Sequence, residues 1–147
     1  MANFTDVDPK TARPAPTFSR VAFGVTIAAG ASVLLNAAVA ALAGLSHGST
    51  GPRIGLEPAE YAPLTVLGVL LGAACWDVVR RKARKPRARL RMLVPVAVLV
   101  SFVPDFGILA VGASLLNALA LVAMHLVVAA VTVPVLARVL PLPRDDG

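Results

Sequence analysis

The sequence predicts an all-α fold: a four-helix transmembrane bundle with its N and C termini both cytoplasmic. Three observations predict it. The chain of 147 residues is 57% hydrophobic and 15% charged, with a mean hydropathy of +0.78. A soluble domain of this size exposes too much surface to be that apolar. Four apolar runs follow one another, each long enough for a hydrocarbon core of about 30 Å. Finally, the basic residues are concentrated between the second and third runs. Eight of the twelve residues from Arg80 to Arg91 are Lys or Arg, and none is acidic.

Residues 1–19 are polar and contain Pro9, Pro14 and Pro16. They are expected to form a disordered cytoplasmic tail. Residues 20–140 form the four-span transmembrane domain, and 141–147 a short cytoplasmic tail. The first span, 21–45, is twenty-five residues without a charge. Ala41-Leu42-Ala43 resembles a signal cleavage site, but the run is too long for a signal core and its leader is long and partly acidic. A Gly- and Pro-containing loop follows. Glu57-Pro58-Ala59-Glu60 then suits a helix start, with acids at its positive end.

The second span, 62–79, has Tyr61 and Trp76 near its ends, as interfacial aromatics would be. Asp77 lies one turn from Arg80 and Arg81, a spacing for a local ion pair. Pro86 breaks any continuous helix through the basic stretch. The third span, 92–112, contains Pro95, Pro104 and Asp105. A helix ending at Pro104 would be about 20 Å long, too short to cross, so the span continues with a kink there. Gly112-Ala113-Ser114 allows only a tight connection to the fourth span, 114–138, which holds His125, Thr132 and Pro134.

Orientation follows from charge. With the basic loop inside, thirteen of the fourteen Lys and Arg are cytoplasmic and only Arg53 is outside. That is a positive-inside pattern. It places the protein as a multi-pass component of a bacterial cell membrane. Juxtamembrane clusters of this kind contact anionic lipid head groups. Arg80, Arg81, Lys82, Arg84, Lys85, Arg87, Arg89 and Arg91 are the candidate contacts, and a nucleic-acid role is set aside.

Lipid tails are as apolar as leucine, so close packing of small residues must hold the helices together. Gly68 and Gly72 form a small-xxx-small pair. In the first span, Gly24, Ala28, Ser32, Asn36, Ala40 and Gly44 recur every fourth residue. Such a ladder drifts about 40° per step and suits a right-handed crossing over two or three turns. Packing within the chain is the first expectation and self-association the second.

Several polar residues fall at depth. Measured from the flanking basic residues, Asp105 and His125 each lie about 20 Å from the inner edge, with Ser32 and Asn36 roughly 18 and 24 Å deep. A lone carboxylate in hydrocarbon is costly, so Asp105 is expected to pair with His125. Thr132 shares the face of His125 seven residues on. These five residues form a candidate intramembrane polar cluster. It is either a proton, ion or solute site, or an interhelical clasp.

Other chemistry has little support. Cys75 is the only cysteine, which excludes an intrachain disulfide or a dithiol pair. His47 and His125 do not make a bis-histidine haem site, and no zinc spacing is present. No phosphate loop or nucleophile elbow occurs. No cofactor, metal or catalytic residue is predicted.

Val103-Pro104-Asp105, the run from Met124 to Ala130, and Thr132-Val133-Pro134 together resemble a family of small four-span membrane proteins. That family is widespread in actinobacteria and of unknown function. The resemblance covers most of the chain after the N-terminal tail and implies an integral membrane protein, but no activity. Two functional readings follow. One is a non-enzymatic accessory or assembly protein. The other is a small oligomeric transporter or channel, coupled to protons or solute through Asp105 and His125.

Overall fold

The computed structural model describes residues 17–46 and 52–143. Its elements are α1 (Phe18–Ser46), α2 (Pro58–Lys82), α3 (Pro86–Gly107), the 3-10 segment Ile108–Val111, and α4 (Leu115–Val139). The four helices, counting the 3-10 segment with α3, are long and apolar enough to cross a membrane. The expected disordered tail, except its last three residues, lies outside the described residues, as does most of the C-terminal tail.

The helices run up and down. Both α2 and α4 touch all three of the others, whereas α1 and α3 make no direct contact. The largest interface is α1 on α4. Its buried face on α1 is Gly24, Ala28, Ser32, Asn36 and Ala40, continuing at Ala43. The three-residue step to Ala43, in place of the four-residue step to Gly44, corrects the drift of the ladder. The face is therefore buried along most of the helix, further than the two or three turns expected. Large apolar side chains point the other way: Phe23, Leu34, Leu42 and Leu45 are all exposed. Small groups inside and large ones outside is the packing expected where lipid replaces water.

α4 answers with its own four-residue ladder: Ala120, Met124, Thr132, Leu136 and Leu140 are buried. Antiparallel register follows from two contacts. Val139 lies over Gly24, and Ala40 and Ala43 cluster with Ala120 and Met124.

α2 opens on Pro58 after Glu57. The Glu60 carboxylate accepts from the Gly55 N–H at 2.8 Å and from the Glu57 N–H at 3.4 Å. Gly55 needs its glycine, since its φ is +77°. The buried stripe of α2 is Tyr61, Thr65, Val69 and Trp76. Gly68 lies one residue off that stripe, about 100° around the helix, and is exposed. Nothing lies within 4 Å of a Cβ built on Gly68 or Gly72. The intrachain packing expected of this pair is therefore not found. Tyr61 and Trp76 lie near the two ends of α2, and both face into the bundle. The Trp76 indole Nε1–H donates to the Leu140 carbonyl at 3.0 Å and satisfies the C-terminal end of α4.

α3 begins at Pro86, before the expected start at 92, because proline is well suited to the first helical position. Arg87, Arg89 and Arg91 are therefore helical. The helix passes through Pro95 and Pro104, then tightens into the 3-10 segment. Gly112, at φ 87°, ends it, and the Ser114 hydroxyl caps α4 by accepting from the Asn117 N–H at 3.1 Å.

The Gly24 contact generates a prediction. A Cβ there would lie 2.6 Å from Val139 Cγ1. Gly24→Ala should cost about 1–3 kcal/mol and lower the thermal unfolding midpoint in detergent. Adding Val139→Ala should restore most of it. Gly30→Ala, which meets nothing within 4 Å, should leave the midpoint unchanged. Equal effects from the two alanines would refute the close approach.

Candidate functional site

Within a bilayer, polar side chains must find partners in the protein. Among the described residues, six polar ones are buried: Ser32, Asn36, Thr65, Asp105, Asn117 and Thr132. They do not converge on one point. They divide into a group on the α1, α2 and α4 side and a pair between α3 and α4.

In the first group, Asn36 Nδ2 donates to Thr65 Oγ1 at 2.9 Å and ties α1 to α2. Asn36 is 1% exposed, so water from the surrounding solvent does not compete. Its Oδ1 has no hydrogen-bond partner, nor do the buried Ser32 and Thr132 hydroxyls. The antiparallel register sets Ser32 level with Thr132.

In the second group, His125 Nδ1 lies 2.9 Å from Asp105 Oδ2 and 3.0 Å from the Leu121 carbonyl. That carbonyl can only accept, so a hydrogen bond to it requires the tautomer with the hydrogen on Nδ1. The angular geometry favours Leu121; Oδ2 has the short ion-pair distance but no well-directed hydrogen bond. The Asp105 side chain is 6% exposed and that of His125 is 38%. The Phe102 ring sits edge-on to the imidazole, 6.2 Å between centroids.

The expected five-residue cluster is thus two sites. Depth along the helices brought Asp105 level with His125, but α1 and α3 are not in contact. Asp105 cannot reach Ser32 or Asn36. Thr132, although on the expected helix, is buried in the four-residue ladder toward the basic end.

Two polar residues lay outside the expected set. Thr65 is the partner of Asn36, and its signal is its place four residues from both Tyr61 and Val69. Asn117 is fully buried, and its Nδ2 donates to the Ile54 carbonyl at 2.7 Å, holding the α1–α2 loop on α4.

At the basic end, Asp77 Oδ1 takes Arg80 at 2.9 Å and Oδ2 takes Arg81 at 2.7 Å. Arg81, Lys82, Arg84, Lys85, Arg87, Arg89 and Arg91 are exposed. Arg87 and Arg91 line a groove with Trp76 and the end of α4. Among the described residues, no three His, Cys, Asp or Glu side chains are grouped to hold a metal ion.

Residues 12–141 match the family model described as a family of unknown function, DUF6069. Neither the curated proteins nor the solved structures gave a match.

The Asn36–Thr65 bond can be measured by a double-mutant cycle of Asn36→Val and Thr65→Val in detergent. A coupling energy of about 0.6–1.7 kcal/mol is expected. Additive losses would mean that the bond carries no weight in the folded protein.

Proposed function

From the premise that the chain belongs to the DUF6069 family, we propose that it works as a non-enzymatic accessory or assembly protein of a bacterial cell membrane. The observation that carries this reading is the dispersal of its buried polar groups. Asn36 is engaged with Thr65 across one interface, and Asp105 with His125 across another. Groups arranged in this way fix which helices are neighbours and in what register. A transport pathway would gather them around one passage.

In this reading Asp105 and His125 form a clasp that seats α3 on α4. Both termini are cytoplasmic, supported by the charge asymmetry of the loops. A reporter fused after Gly147 should score as cytoplasmic, and a periplasmic score would overturn the orientation.

The second reading, an oligomeric proton- or solute-coupled transporter, draws on one observation. His125 is partly exposed at depth beside a buried carboxylate, and an imidazole so placed can carry a proton to a neighbouring copy.

One set of variants separates the two. Under the clasp reading, Asp105→Asn and His125→Ala each lower the thermal midpoint in detergent. The losses are on the order of 1 kcal/mol, and the double variant loses less than their sum. Singles that keep the wild-type midpoint but abolish proton flux into liposomes would replace the clasp by the transport reading.

A further inference from the structure

At the basic end, a groove of about 500 Å³ opens between α2, α3 and the end of α4. Its size is within the roughly 300–1,000 Å³ typical of ligand sites. Its walls divide by chemistry. Arg87 and Arg91, one turn apart on α3, stand on the polar side. Val94, Pro95 and Val133 continue the groove along the apolar part of the helices. Trp76 forms another part of the wall, held by its bond to the Leu140 carbonyl.

The arginines differ in how their charge is met. Arg80 and Arg81 share Asp77. No ion pair to Arg87 or Arg91 occurs among the described residues. Their position on the helix adds to the imbalance. α2 opens with acids and closes with Arg80, Arg81 and Lys82, and α4 closes with Arg138. Each arrangement suits the helix dipole. α3 has the reverse: no acid in its first turn, and arginines at its positive end. An anion there would meet both the side-chain charges and the helix end. The positive-inside rule explains why arginines sit on this side of a membrane. It does not explain why two of them converge on an apolar groove.

We propose that this groove is a binding site for one anionic phospholipid, its phosphate held by Arg87 and Arg91 and an acyl chain lying along Val94, Pro95 and Val133. The remaining basic residues of the loop contribute only a diffuse attraction to the membrane surface. The occupant is a lipid, not a free phosphate, because the charged rim leads directly onto apolar walls.

Trp76 is the only tryptophan, so its fluorescence reports on the groove alone. The wild-type protein is reconstituted in phosphatidylcholine with a small fraction of either chain-brominated phosphatidylglycerol or chain-brominated phosphatidylcholine. Brominated phosphatidylglycerol should quench Trp76 more at equal mole fraction, and unlabelled phosphatidylglycerol should reverse the effect. Each arginine lost should weaken the preference roughly fivefold, so Arg87→Gln with Arg91→Gln should lower it on the order of twentyfold. Arg84→Gln with Arg89→Gln removes the same charge outside the groove and should leave most of the preference. Equal quenching by the two lipids in the wild type would overturn the proposal without reference to any variant. Equal losses from the two double variants would reduce it to diffuse attraction. Reversal by inorganic phosphate as effectively as by phosphatidylglycerol would make the site one for the ion only.

Discussion

The structure depends on the close approach of α1 and α4. In water, burying leucine drives helices together; in lipid it gains nothing, and contact must come from side chains small enough to let backbones meet. Gly24, Ala28, Ser32 and Ala40 supply that face on α1, and α4 meets it with a ladder of the same period. The two facing ladders fix the antiparallel register, with Val139 over Gly24 and Ala40 and Ala43 beside Ala120 and Met124. Once the register is set, the rest is constrained. Asn36 is brought to the level at which Thr65 of α2 can accept its hydrogen. Val139 closes on Gly24, and Leu140 is placed to take the Trp76 indole.

The two ends of the bundle are closed by different means. At the end away from the basic stretch, polar contacts join an apolar cluster of Ala40, Ala43, Leu56, Tyr61, Ala120 and Met124. Asn117 holds the Ile54 carbonyl, Glu60 holds the Gly55 N–H, and the Arg53 guanidinium lies over Gly44. At the basic end an apolar group of Trp76, Leu90, Leu136 and Leu140 takes over, with one indole hydrogen bond through it. A loop outside the hydrocarbon can use directional bonds freely. The charged end must keep its apolar contacts beneath a layer of Arg and Lys, where long side chains extend to water.

Much of this was legible from residue types. The four long apolar helices follow from hydropathy, and the small-residue face of α1 from its four-residue spacing. Asp105 and His125 were paired by their equal distance from basic anchors, and the two side chains do meet. Two things were not legible, for one reason. Distance along a helix gives depth but not azimuth in the bundle. By the α1–α4 register Asn36 lies within about one turn of the Asp105 level and Ser32 about two turns away, and α1 makes no contact with α3 in any case. Likewise, Gly68 and Gly72 have the spacing of a packing pair, but the stripe that turns inward is Tyr61, Thr65, Val69 and Trp76. That choice depends on where α1 and α4 lie, which α2 alone does not encode.

The same geometry singles out α3. It buries only Pro86, Leu90 and Asp105, and has no contact with α1. Leu90 secures it at the basic end and Asp105 near the other, about 21 Å from Arg91 by helical rise. Among the described residues, the Asp105–His125 contact is the only side-chain polar contact linking it to another helix. A helix fixed at so few points is the element of this fold whose position is most easily biased. The groups that could bias it sit at those points: a carboxylate–imidazole pair at one, and two arginines facing a groove at the other. The groove and the Asp105–His125 contact thus lie toward opposite ends of one sparsely buried helix, and no side chain of one touches the other.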